Sequence, residues 1–196
     1  MADRPASSHL TIPNIITLFR ILLTPLFLIF LLQKNYPRAL IVFMVAGFSD
    51  MADGLVARAW QQKSPLGAFL DPMADKLLMA TSFVALGIFR LIPPWLAVVV
   101  ISRDVILTVG TIVLKLADAP LVIRPSLAGK WTTTLQIATV FFVLLGKIWP
   151  MPALFLTGLF WATAILTAIT GVHYMSQGLQ LMNAAPGNKR QGNDHG

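Results

Sequence analysis

Apolar runs separated by short polar breaks fill most of the chain. They cover residues 14–32, 39–60, 64–89, 94–116, 131–148 and 153–179, and a helix needs roughly 20 mostly apolar residues to cross the hydrocarbon of a bilayer. The breaks hold residues that stop helices: Asn35-Tyr36-Pro37, Ser64-Pro65, Ile92-Pro93-Pro94, Ala119-Pro120, Arg124-Pro125 and Trp149-Pro150-Met151-Pro152. The pattern predicts an all-α integral membrane protein, a six-transmembrane-helix bundle forming a single domain over residues 1–183. Residues 184–196, rich in Asn, Gly, Gln and charge, are too polar to bury a core and are predicted to be a disordered C-terminal tail.

Composition points the same way. Hydrophobic residues make up 56% and charged residues 12%, and the mean hydropathy is +0.74, whereas about one-quarter of a soluble domain is charged. The absence of cysteine excludes disulfides, thiolate metal sites and a cysteine nucleophile. Residues 1–11 are too short and too weakly basic to resemble a transit peptide, so the first apolar run is expected to remain as an anchor. No tandem repeat is visible, which weighs against the paired inverted halves of many transporters.

The net charge of +7 raises nucleic acid as a partner, but the basic residues are dispersed over hydrophobic helices rather than gathered on one polar face. Attraction to anionic lipid headgroups is the simpler explanation, and no nucleic-acid partner is expected. With the N-terminus inside, Arg4, Arg58, Lys63, Lys115, Arg124, Lys130, Lys189 and Arg190 are cytoplasmic, against Lys34, Arg38, Arg90 and Lys147 outside. The excess predicts cytoplasmic N- and C-termini. Trp60, Trp95, Trp131 and Trp149 fall at predicted span ends, where interfacial anchors sit.

The acids are placed unusually. All eight acidic residues are aspartates, and Asp50, Asp53, Asp71 and Asp75 lie inside strongly apolar sequence. An ionised Asp at the centre of a membrane helix costs about 2.5 to 3.5 kcal/mol, so four of them need cations or water. Asp50 and Asp53 are spaced i, i+3, and Asp71 and Asp75 i, i+4, so each pair projects from one face of its own helix. The short link between the two runs makes their helices antiparallel neighbours, with Ser64 as a cap and Pro65 in the first turn. Four carboxylates with no His or Cys suit magnesium, manganese or calcium rather than zinc. Salt bridges to Arg58, Lys63 and Lys76 are the bland alternative, and they explain neither the spacing nor the glycines nearby.

With those glycines the pattern reads Asp50-x2-Asp53-Gly54-x2-Ala57-Arg58-x8-Gly67-x3-Asp71-x3-Asp75. It resembles the signature of the CDP-alcohol phosphotransferases, with every position present at its expected spacing. Gly54 and Ala57 open helix surface for the close approach of a nucleotide, and Arg58 can pair with a diphosphate. Gly67 does the same from the facing helix or only permits helix packing. The resemblance implies that Asp50, Asp53 and Asp71 hold metal beside the CDP diphosphate. It implies too that Asp75, near the metals, is the catalytic base for the acceptor hydroxyl. The implied cofactors are Mg2+ or Mn2+, two ions, in a polar site near the cytoplasmic side of a bacterial plasma (inner) membrane.

The resemblance extends from Ile12 to Gln136. The opening Ile12-Pro13-Asn14-Ile15-Ile16-Thr17-Leu18-Phe19-Arg20 looks like phosphatidylglycerophosphate synthases and CMP-forming cardiolipin synthases, as do Ile101-Ser102-Arg103-Asp104 and Pro125-Ser126-Leu127-Ala128-Gly129-Lys130-x2-Thr133-Thr134-x-Gln136. The branch implies CDP-diacylglycerol as donor and either glycerol 3-phosphate, the first choice, or phosphatidylglycerol as acceptor. Arg103, Lys130 and Arg124 are candidates for the acceptor phosphate. A local ion pair with Asp104 is the alternative for Arg103, and a topology signal for Lys130 and Arg124. Arg20 either steadies the bundle or reaches a lipid phosphate, and Asn14 and Thr17 are weaker candidates. His173 and Tyr174 are expected only to pack or to sit at the interface. Gly158-x3-Ala162 is either a dimer contact or packing within one chain, and the resemblance implies a homodimer. A small cation transporter also places acids inside a helical bundle, but leaves Arg58 and the glycines unexplained.

Overall fold

A computed structural model describes the backbone over residues 12–60, 65–116 and 127–184, with side chains over 17–49, 76–113 and 127–178 and at Gln180. These residues form six helices and the turns between them: α1 Ile12–Leu32, α2 Tyr36–Trp60, α3 Pro65–Ile88, α4 Pro94–Leu116, α5 Leu127–Leu145 and α6 Ala153–Ala184. Three segments, Pro94–Val113, Leu127–Leu145 and Ala153–Gly178, are long and apolar enough to cross a membrane. Thr17–Leu32, Tyr36–Ser49 and Lys76–Ile88 are shorter apolar helical stretches within the described residues.

Alongside an apolar core, the described residues bury a set of polar side chains and expose many large apolar ones. Thr17, Arg20, Thr24, Ser82, Thr132, Gln136, Thr139, Thr163, Thr167 and Thr170 are buried, while Leu22, Leu32, Ile88, Val98, Leu154 and Val172 are exposed. A helix surrounded by lipid gains nothing by hiding leucine, and it hides polar groups where another helix can satisfy them. Trp95, Trp131 and Trp149 are exposed near helix ends, in keeping with interfacial anchoring.

The helices form two compact units, one comprising residues up to Ala85 with Val140–Pro150, the other Leu86–Thr139 with residues from Met151 onward. In the first unit α1 packs along α2. The turn joining them explains why α2 begins at Tyr36, three residues before the predicted start. Asn35 caps it: the Asn35 carbonyl accepts from Ala39 N–H at 3.0 Å and its Oδ1 from Arg38 N–H at 3.4 Å. Pro37 then lies in the first turn, where its missing donor is harmless. The end of α1 closes as a Schellman turn, with Asn35 N–H to Phe30 O and Lys34 N–H to Leu31 O, and Lys34 takes a φ of 55°. Arg90 repeats the arrangement after α3, with Leu91 N–H to Leu86 O, Arg90 N–H to Gly87 O and a φ of 52°.

In the second unit α4 packs along α6, and α5 is tied to α6 by side-chain hydrogen bonds. Thr139 meets Thr163 at 2.7 Å, Gln136 donates to Thr167 at 3.4 Å, and Thr132 donates to Thr170 at 3.2 Å. The rungs fall at i, i+4 and i+7 on α5 and at the same spacing, reversed, on α6, so the two helices are antiparallel along this seam. The hydroxyls of Thr132, Thr139 and Thr170 also bond carbonyls one turn back on their own helices.

Candidate functional site

The aspartate motif lies on α2 and α3. Asp50, Asp53, Gly54, Ala57 and Arg58 belong to α2, and Gly67, Asp71 and Asp75 to α3. Their side chains are outside the described ones, as are Asn14, Ser64, Arg124 and residues 185–196. Among the described residues no three His, Cys, Asp or Glu side chains come together.

The motif positions lie towards the end of α2 and the beginning of α3; among the described side chains of those helices Ala39, Phe43, Ala46, Leu78, Ser82 and Leu86 are buried. Five Cα steps join Trp60 to Pro65, a reach of at most about 18 Å, so the end of α2 and the beginning of α3 lie within that distance of each other.

On α1, Thr17, Arg20, Thr24, Phe27 and Leu31 are buried along one face, and the Phe27 and Phe43 rings meet with centroids 6.0 Å apart. Counting seven residues from this pair in opposite directions gives Arg20 on α1 and position 50 on α2, each about 10 Å along its helix. Thr17 and position 53 match in the same way. Arg20, 1% exposed, is thus at the level of position 50 on the neighbouring helix.

Arg103 lies on α4 in the second unit. Its Nη1 donates to Asp104 Oδ1 at 2.8 Å, and the two side chains are 12% and 17% exposed. The guanidinium carbon stands 5.9 Å from the centroid of the Tyr174 ring on α6. The local pair with Asp104 is therefore formed, and Tyr174, expected only to pack, covers the face of a candidate site residue. Lys130 is exposed in the first turns of α5. His173, also exposed, contacts Gln177 at 3.1 Å. Of the Thr and Gln ladder between α5 and α6 only Gln136 entered the sequence motifs, as part of the resemblance and not as a packing residue. The matching i, i+4, i+7 spacing on both helices is the signal that reveals it.

Residues 10–171 match the family model described as CDP-alcohol phosphatidyltransferase. The chain is 34% identical over 185 residues to a probable CMP-forming cardiolipin synthase of Drosophila melanogaster, a match covering 85% of this chain and 57% of that protein. It is 31% identical over 194 residues to the CMP-forming cardiolipin synthase of Rattus norvegicus, covering 90% and 64%. It is 32% identical over 195 residues to the CDP-diacylglycerol--glycerol-3-phosphate 3-phosphatidyltransferase of Bacillus subtilis, covering 89% and 98%. The chain spans less than two thirds of the fly and rat proteins and nearly all of the bacterial one. The chain belongs to the CDP-alcohol phosphatidyltransferase family.

Proposed function

We propose that this protein transfers the phosphatidyl group of CDP-diacylglycerol to a hydroxyl of glycerol 3-phosphate, forming phosphatidylglycerophosphate and releasing CMP. The observation that carries this reading is the family match over residues 10–171, which includes the four aspartates carried by α2 and α3. A carboxylate set of this kind, without nitrogen or sulfur donors, fits a hard divalent ion such as Mg2+ or Mn2+. Asp50, Asp53, Asp71 and Asp75 would hold two such ions. When bound, they would screen the diphosphate and stabilise the departing phosphate.

The chain's own residues do the rest. Arg58 pairs with the diphosphate of the donor, and Gly54, Ala57 and Gly67 leave room for its nucleotide. Asp75 takes the proton of the acceptor hydroxyl as that oxygen bonds to the phosphatidyl phosphorus. The phosphoanhydride bond breaks, and its electron pair leaves with the phosphate of CMP. Arg103, Lys130 and Arg124 are the cations assigned to the acceptor's phosphate.

A second reading has phosphatidylglycerol as acceptor and cardiolipin as product. It is favoured by the names of the fly and rat relatives and by Ser102-Arg103-Asp104. Near-complete coverage of the Bacillus subtilis relative favours the first. A cation transporter is a distant third.

In either enzymatic reading the six helices span a bacterial inner membrane with both termini and the active site cytoplasmic, as the distribution of Lys and Arg suggests. A homodimer is part of the proposal. Gly158 and Ala162 lie exposed one turn apart on α6, with open space over Gly158. The test is CMP release by purified protein. Release that requires both CDP-diacylglycerol and a divalent metal supports the proposal, and its absence under those conditions overturns it.

A further inference from the structure

We infer that Tyr174 and Gly171 of α6, with Asp104 of α4, are positioning residues that hold the Arg103 guanidinium for the phosphate of the acceptor alcohol. This rests on the reading that Arg103 binds that phosphate, and it gives a role to the last helix, which carries no part of the family signature.

Neighbouring residues on a helix point about 100° apart, so Arg103 must bend to reach Asp104. Two features of α6 set the bend. A Cβ added at Gly171 would stand 3.4 Å from Arg103 Cγ and 3.8 Å from its Cβ, so the arginine stem runs directly over the glycine. Further along, the Tyr174 ring covers the guanidinium at 5.9 Å, a distance at which the ring's negative face attracts the cation. Asp104 takes Nη1 alone.

The other edge of the guanidinium is left over. Nε is buried and has no hydrogen-bond partner. A buried donor in that state is costly, and proteins tolerate one chiefly where a ligand or ion completes it. Asp104 thus leaves the guanidinium with donors to spare, and arginine rather than lysine is suited to phosphate oxygens. Glycerol 3-phosphate and phosphatidylglycerol both supply such oxygens.

The experiment measures KM for each acceptor, with saturating CDP-diacylglycerol and magnesium, in full-length protein. Glycerol 3-phosphate and phosphatidylglycerol are offered in separate reactions to Tyr174→Leu, Tyr174→Phe and Arg103→Gln variants. Tyr174→Leu, which keeps bulk but loses the ring face, should raise the KM of the acceptor used about tenfold, with kcat and donor KM within about twofold of the parent. Tyr174→Phe should behave as the parent. Tyr174→Met serves if the leucine variant does not assemble. As a readout apart from turnover, glycerol 3-phosphate or phosphatidylglycerol should raise the Tm of the parent and of Tyr174→Phe, but not that of Arg103→Gln.

An acceptor KM unchanged in Tyr174→Leu but raised in Arg103→Gln overturns the positioning role and leaves Arg103 as the phosphate ligand. An unchanged KM and Tm response in Arg103→Gln removes both.

Discussion

The hydroxyls of Thr139 and Thr163 stand 2.7 Å apart, joining α5 to α6 at one rung of a three-rung polar seam. Both residues are fully buried. Interhelical hydrogen bonds in membrane proteins average about 0.6 kcal/mol and reach about 1.7 kcal/mol. Thr139→Val and Thr163→Val should each lower stability within that range, and the double variant should lose little more than either single one. Thermal unfolding of purified protein in a double-mutant cycle checks this, and strict additivity would show that the two hydroxyls do not act together.

Arg20 is buried on α1 at the level of position 50. In the proposed metal site a cation at that level would balance carboxylates that otherwise repel one another when no metal is bound. Arg20→Met should therefore cost about 3 kcal/mol in a chelator, and a smaller amount in excess magnesium. The comparison is Tm with EDTA against Tm with Mg2+. Equal losses in the two conditions would assign Arg20 to packing alone.

These residues show what the sequence carries and what it does not. Apolar runs separated by proline located all six helices, but their ends depend on hydrogen bonds that hydropathy does not record. Asn35 caps α2 four residues ahead of the apolar run. The helix α5 begins at Leu127, four residues before the predicted Trp131, with Gly129 and Lys130 still helical in its first turn. Likewise α6 runs to Ala184, past the predicted Leu179, through Ser176, Gln177 and Gln180. The aspartate spacing was legible because a membrane helix rarely carries even one acid. Burial of Arg20, the Thr and Gln seam, and the meeting of Arg103 with Tyr174 depend on which helices adjoin, and no local pattern states that.

Lys34 and Arg90 both adopt left-handed backbone conformations at helix ends, with φ of 55° and 52°. A side chain there costs roughly 1 to 2 kcal/mol that glycine avoids. Lys34→Gly and Arg90→Gly should leave stability unchanged or raise it by up to about 1 kcal/mol, despite the usual cost of glycine in an unfolded chain. A lowered Tm in either variant would show that the basic side chain contributes more than the strain it carries, for example by holding lipid headgroups.

Asp75→Asn removes the proposed base while keeping size and most of the polarity. It should lower kcat by a factor of roughly 100 to 10,000, with little change in the amount of folded protein extracted from membranes. Turnover close to that of the parent would remove Asp75 from the base role. Asp104→Asn should act differently, raising the acceptor KM more than it lowers kcat.

The central claim is metal-dependent phosphatidyl transfer, and the most direct test is incorporation of radiolabelled glycerol 3-phosphate into lipid by purified protein with CDP-diacylglycerol and magnesium. The expected result is labelled phosphatidylglycerophosphate with an equal amount of CMP, abolished by EDTA and restored by Mg2+ or Mn2+. Product only in a parallel reaction with phosphatidylglycerol would make cardiolipin synthesis the correct reading. No product and no CMP with either acceptor, from folded protein supplied with metal, would contradict the claim.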